Sequence, residues 1–231
     1  MGCKENDKSN YFYASVQNEP DGFFSGQLKE FNDYMALVSS YMRRGNSYSN
    51  VAVYMPLEDS WMGVEYPDSL QMPWVWGEYE LRYIHTPSEL KGHQPLWINH
   101  HYLLSSEVKN GVLKSGHCSF NALVVDVEFM DGEALKNIVR LADQGLPVWL
   151  KRDPRQPGKN QIKEYDQLLT KLKGIPNVSK ELSIIPGKAL IEGEDLPDWW
   201  CREDDSTYYI FIANPSAQGL TYPLRYNQAF E

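Results

Sequence analysis

Four carboxylates stand where apolar runs of this chain come to an end. Glu58 and Asp59 follow Asn50-Val51-Ala52-Val53-Tyr54-Met55-Pro56, and Asp126 and Glu128 close Asn121-Ala122-Leu123-Val124-Val125-Asp126-Val127. Gathered on one rim of a sheet, such a set can carry paired acid/base chemistry or hold a cation. The competing reading is structural, because acidic residues at strand ends also cap the next helix or meet solvent. These four are the candidate catalytic residues, and no other position is singled out for that role.

A second candidate chemistry is aromatic. The chain holds 7 Trp and 15 Tyr, and residues 57–80 carry Trp61, Tyr66, Trp74, Trp76 and Tyr79. The C–H face of a sugar packs well on a ring, so Trp61, Trp74 and Trp76 are the candidate ligand-binding residues. Filling of a core or an interface is the alternative. Trp199 and Trp200 fit best as anchors of a terminal hairpin.

Other chemistries find little support. Cys118, in Gly116-His117-Cys118-Ser119-Phe120, precedes a strand, whereas a nucleophile elbow follows one and is flanked by glycines. Cys3, Cys118 and Cys201 form no paired motif. None of the five histidines lies in an HExxH arrangement, and His100 and His101, read as the end of a strand, point to opposite faces. No metal is implied. No Gly-x-Gly-x-x-Gly and no phosphate loop occurs, and no cofactor is implied.

A net charge of −9 disfavours nucleic acid and anionic membrane surfaces as partners. No apolar run approaches the roughly 18 residues of a membrane span. No basic segment followed by an apolar core opens the chain, so no signal peptide is visible and the localisation is left open. Asn6 stands where a myristoylation pattern needs Ser or Thr.

The elements that must position these residues follow from periodicity. Leu28, Phe31, Met35, Val38 and Met42 recur at helical spacing, with Ser25 before them and Gly45 after. Leu96–His100 reads as a strand. Asp131 caps a helix through Ala142, and Pro147–Leu150 is the next strand. Asn160 caps a helix bearing Ile162, Tyr165, Leu168, Leu169 and Leu172, and Leu182–Ile185 is a further apolar segment. Thr207–Ala213 pairs with Trp199–Arg202 as a hairpin. Strands alternating with helices imply a mainly parallel sheet covered on both faces, an α/β three-layer sandwich. The domain reading is a polar tail with one short strand at 1–21, an α/β domain at 22–215, and a tail at 216–231.

Several runs carry a resemblance. They are Phe31-Asn32-Asp33-Tyr34 through Gly45, Asn50 through Asp59, Asn121 through Val127, Gly145-Leu146-Pro147-Val148-Trp149, and Arg202 through Asn214. Together they resemble the class I glutamine amidotransferase-like, flavodoxin-like accessory domain of large α-L-rhamnosidase-like glycoside hydrolases. In those enzymes the domain follows a catalytic barrel, and the barrel carries the catalytic carboxylates. The resemblance places Tyr13 through Tyr34 at the exit from the barrel and Arg202 through Asn214 at the junction into a β-sandwich. It implies a piece of a larger protein, from a periplasmic or secreted family. Such a domain packs on the barrel, shapes the rim of its sugar site or mediates self-association. The amidotransferase cysteine has no counterpart, since its turn holds Glu128-Phe129. Three readings follow: a non-catalytic accessory domain, a stand-alone carbohydrate-binding protein using loop 61–79, and a small carboxylate-dependent glycoside hydrolase.

Overall fold

Val51–Tyr54 and Ala122–Val125 are buried at every position. A strand apolar without alternation belongs in a parallel sheet covered on both faces. The computed structural model, which describes residues 25–62, 85–159, 161–194 and 196–213, has that architecture. In chain order the elements are α1 (Ser25–Met42), β1 (Asn46–Ser47), β2 (Val51–Tyr54), α2 (Leu57–Met62), β3 (Leu96–Ile98), α3 (His100–Ser105), β4 (Glu107–Lys109), β5 (Val112–Ser115), β6 (Cys118–Phe120) and β7 (Ala122–Val125). They continue with α4 (Gly132–Asp143), β8 (Val148–Leu150), α5 (Tyr165–Lys173), β9 (Val178–Ser179), β10 (Asp198–Asp204) and β11 (Thr207–Ala213).

Five strands form the parallel sheet, in the order β3-β2-β7-β8-β9. The chain steps from β2 outward to β3, then returns past β2 to lay down β7, β8 and β9. The strand order therefore reverses between β2 and β7. In open α/β sheets ligands enter the crevice beyond the carboxyl ends at such a reversal.

The two faces are covered differently. Ala52, Tyr54, Leu123, Val125, Val148 and Leu150 pack under α4 and α5, against Leu135, Ile138, Ala142 and Leu172. Val51, Val53, Ala122, Val124 and Trp149 meet Leu90 and Ile185, with Trp97 and Ile184 beside them. Leu90 lies in a 3-10 turn at Ser88–His93, and Ile185 directly follows another at Leu182–Ile184. The Asp131 side chain accepts the Glu133 N–H at 2.8 Å and starts α4 as its spacing predicts, and Gly145 follows the helix with φ +98.

Four expectations need correction. His100 and His101 open helix α3 rather than closing a strand, because Asn99 Oδ1 accepts the Tyr102 N–H at 3.1 Å and caps a new helix. The apolar segment Leu182–Ile185 opens as a 3-10 turn at Leu182–Ile184, and the fifth strand, Val178–Ser179, was not expected. Position 160 lies outside the described residues, and the helix expected after it begins at Tyr165, with Ile162 in the approach. Residues 107–120 form an antiparallel meander, β4-β5-β6, where no strands were expected. Its first turn is Asn110-Gly111, both with positive φ (53° and 78°), as a two-residue hairpin turn of the right twist requires.

β1, β10 and β11 make a separate antiparallel sheet, with Cys201 opposite Ile210. Gln94 ties it to the main body. Its buried amide donates to the carbonyls of Tyr48 (2.5 Å) and Cys201 (3.2 Å), and its oxygen accepts the Cys201 N–H. Trp199 Nε1 donates to Lys91 O at 2.9 Å, so this tryptophan is an anchor. Helix α1 rests on the hairpin. The Arg44 guanidinium lies between the Tyr41 and Tyr209 rings (4.8 and 5.0 Å), and Arg202 donates to the carbonyls of Arg44 (2.9 Å) and Gly45 (2.5 Å).

Candidate functional site

The carboxyl edge is built from three turns. Pro56 ends β2, and its carbonyl accepts the Ser60 N–H at 3.2 Å, so α2 starts at once with Glu58 and Asp59 in its first turn. The loop after β7 carries Asp126 and Glu128, and the loop after β8 carries Lys151, Arg152 and Arg155. The four candidate carboxylates thus lie around one edge, as the spacing suggested, but each has its own occupation.

Glu58 turns into the core. Its Oε1 accepts from the Tyr54 hydroxyl (2.8 Å) and from Asp131 N–H (3.3 Å), while its Oε2 is buried with no hydrogen-bond partner among the described residues. Burial first, and the Glu58 carboxyl second, push the Tyr54 phenol far above its ordinary range. Tyr165, whose hydroxyl donates to Met130 O at 3.0 Å, is also raised, mainly by burial.

Asp59 is consumed by backbone. Its two oxygens accept the Glu128 N–H, each at 3.0 Å, and one of them also accepts the Phe129 N–H at 2.5 Å. This clamps α2 onto the loop after β7. Asp126 accepts from Arg152 Nε at 2.6 Å and pairs with Lys151 at 3.3 Å, while Arg152 Nη2 donates to the Asp126 carbonyl at 2.7 Å. Glu128 pairs with Arg155, whose guanidinium also covers the Phe129 ring at 4.8 Å.

A cavity of about 270 Å³ opens at the β2–β7 reversal. Val53, Pro56, Pro87 and Trp97 give it apolar walls, and Asp59, His85, Asp126 and Arg152 give it polar ones. Trp97, His85 and Arg152 were not among the expected site residues. The signal for two of them was positional. Trp97 is the register neighbour of Val53, and Arg152 follows the carboxyl end of β8, at the edge where ligands enter.

The remaining candidates separate. Trp61 is exposed on α2, whereas Trp74 and Trp76 lie outside the described residues. Burial raises the Cys118 thiol, opposite to the shift an activated nucleophile needs, and pushes the Cys201 thiol up to about 11. His93 Nδ1 meets Asn50 Oδ1 at 3.1 Å, and burial lowers its pKa. Among the described residues no three His, Cys, Asp or Glu side chains gather as a metal cage. Among those residues no helix is long and apolar enough to cross a membrane.

A glycosidase pair must flank the scissile bond, with its carboxyl groups about 5–5.5 Å apart in a retaining enzyme and about 6.5–9.5 Å apart, with room for a water, in an inverting one. Here Asp59 spends both oxygens on amides, Glu58 points into the core, and Glu128 is held by Arg155. What the edge offers a ligand is the Trp97 wall together with the Asp126–Arg152 pair. No protein-family model matches the chain, and neither a curated protein nor a solved structure does.

Proposed function

We propose that the chain is a non-catalytic accessory domain, related to those of α-L-rhamnosidase-like glycoside hydrolases, that docks on a catalytic barrel. One observation carries this reading. Helix α1 runs 18 residues without burying one, and leaves Phe31, Tyr34, Met35, Leu37 and Tyr41 exposed, Leu37 at 59%. An apolar helix face in water costs stability unless something covers it, and exposed patches of this kind mark interaction sites. The hairpin that supports α1 presents Tyr208, Ile210 and Ile212 as well, every second residue of β11 and so one face of the strand. The resemblance puts the chain through Tyr34, and so the first part of α1, at the barrel exit, and Arg202 through Asn214, which holds β11, at the junction into a β-sandwich. The occupied carboxylates of the sheet edge fit the same reading.

The test is sedimentation velocity of the chain mixed with the separately expressed barrel of an α-L-rhamnosidase-like hydrolase. The expected result is a complex that Leu37→Glu and Tyr34→Glu weaken at least tenfold without loss of helical signal. No complex, or turnover of an aryl α-L-rhamnoside by the chain alone, would overturn the reading.

A further inference from the structure

The β2–β7 reversal is where a doubly wound sheet takes its ligand, and this chain has closed that place to anions. A phosphate site needs backbone N–H groups left free beside the ligand. Here the Glu128 and Phe129 amides that follow β7 already donate to Asp59, and the turn after β2 presents that acidic side chain instead of a glycine-rich loop. A phosphate in the cavity would face Asp59 and Asp126. A cation would have to displace Arg152 and Lys151 from Asp126.

A neutral hydroxylated ring meets neither penalty. Asp126 can accept from one hydroxyl while the Arg152 guanidinium donates to its neighbour, which is the pairing a vicinal diol offers. Trp97, with Val53 and Pro56, gives an apolar wall for the C–H face of the ring, and His85 adds a further donor or acceptor. The volume, about 270 Å³, falls just under the roughly 300–1,000 Å³ of sites for drug-sized ligands. It suits one ring and is too small for a dinucleotide or an oligosaccharide. We propose that the cavity walled by Trp97 and closed by the Asp126–Arg152 pair binds a single neutral pyranose through a vicinal diol. The site shares no residue with the α1 and β11 faces, and it does not rest on barrel docking.

The experiment is saturation-transfer NMR on the full chain with the methyl glycosides of L-rhamnose, D-mannose, D-galactose and D-glucose. Inorganic phosphate and choline serve as the anionic and cationic probes. The expected result is saturable binding of at least one glycoside in the millimolar range. Arg152→Met should weaken it about tenfold, the size of one lost charge-assisted hydrogen bond. Trp97→Leu, which keeps apolar volume but removes the ring, should weaken it about fivefold or more, with the circular dichroism spectrum unchanged. Arg152→Met, on an exposed side chain, keeps the test sound if the Trp97 variant misfolds. Saturation by phosphate or choline in place of the glycosides, no glycoside binding below about 0.1 M, or full affinity in Arg152→Met would each overturn the proposal.

Discussion

The carboxyl edge of the parallel sheet and the flank formed by α1 and β11 manage their surfaces in opposite ways. At the edge, Asp59, Asp126 and Glu128 are matched to amides or counter-charges and Glu58 Oε1 to a hydroxyl, while Glu58 Oε2 has no partner among the described residues. The flank has few charges to match and leaves large apolar side chains in water, Phe31 at 58% and Ile212 at 57%. The proposed pyranose site would use the Asp126–Arg152 pair of this largely matched rim. The apolar face of the flank is the surface that the proposed docking would cover. The difference sets the surface of the proposed ligand site apart from the surface of the proposed docking.

The largest expected effect comes from setting one leucine against another. Leu135 on α4 is fully buried between helix and sheet, whereas Leu37 on α1 is mostly exposed. Leu135→Ala should cost about 2–5 kcal/mol, since it loses transfer energy and leaves a cavity. Leu37→Ala should stay within about 0.5 kcal/mol. Urea unfolding of both variants measures the contrast. A cost above about 2 kcal/mol at Leu37 would mean that the flank is packed in solution and would erase the comparison.

Next comes the hinge that holds the flank. Gly45 has φ +50, and an added Cβ would sit 1.9 Å from Glu203 O and 2.6 Å from Glu203 C. Gly45→Ala therefore meets a left-handed penalty of about 1–2 kcal/mol and a backbone clash together. It should release α1 from the hairpin while the parallel sheet stays folded. Trypsin would report this as faster cleavage after Arg43 and Arg44, with no change in protection of α4. Equal cleavage rates would show that α1 is not held through this turn.

How much of this was legible follows the same division. The central strands and α4 were readable, because unbroken apolar runs and an Asp131 cap each name one structure. The hairpin was readable from Tyr208-Tyr209-Ile210-Phe211-Ile212. The meander was missed because Lys114, Ser115 and Ser119 interrupt its apolar residues, yet Asn110-Gly111 was a turn signal in plain view. The α1 stripe was correct in period and silent about its partner, since periodicity marks an apolar face and not what covers it. The edge carboxylates were placed correctly, but their occupations come from amides and cations distant in sequence, such as Phe129 for Asp59 and Arg152 for Asp126. Trp97 was legible only as a strand residue until its register with Val53 set it on the cavity wall.

A smaller effect tests whether the edge is as matched as it looks. Tyr54→Phe removes the hydroxyl that donates to Glu58 Oε1 and leaves the Asp131 N–H as the remaining donor to a carboxyl that is 6% exposed. The cost should be about 1–3 kcal/mol, the penalty of leaving a buried acceptor short of a donor. The double variant Tyr54→Phe with Glu58→Gln should recover part of it, read as urea midpoints in a double-mutant cycle. Additive losses would mean that the two side chains do not act as a pair.

The smallest effect is electrostatic and lies on the outer rim, where Asp153 bonds to Lys173 (2.7 Å) and to Lys180. Those two bonds, Lys173 first, hold its carboxyl below the usual range. A folded pKa lowered in this way gives stability that is present above the unfolded value, about 3.9, and is lost as pH falls through the folded value. With 39% of the side chain exposed, solvent screening keeps the contribution well under about 1 kcal/mol. Asp153→Asn should therefore lower the Tm by only a degree or two at pH 7, and by progressively less as pH falls through the folded value and the wild-type carboxyl takes up its proton. Salt near 1 M, with a screening length of about 3 Å, should shrink the pH 7 difference. A Tm gap that neither narrows as pH falls nor shrinks in salt would trace the effect to packing of the loop after β8 and not to charge, and the outer rim would then belong with the apolar flank in its mode of stabilisation.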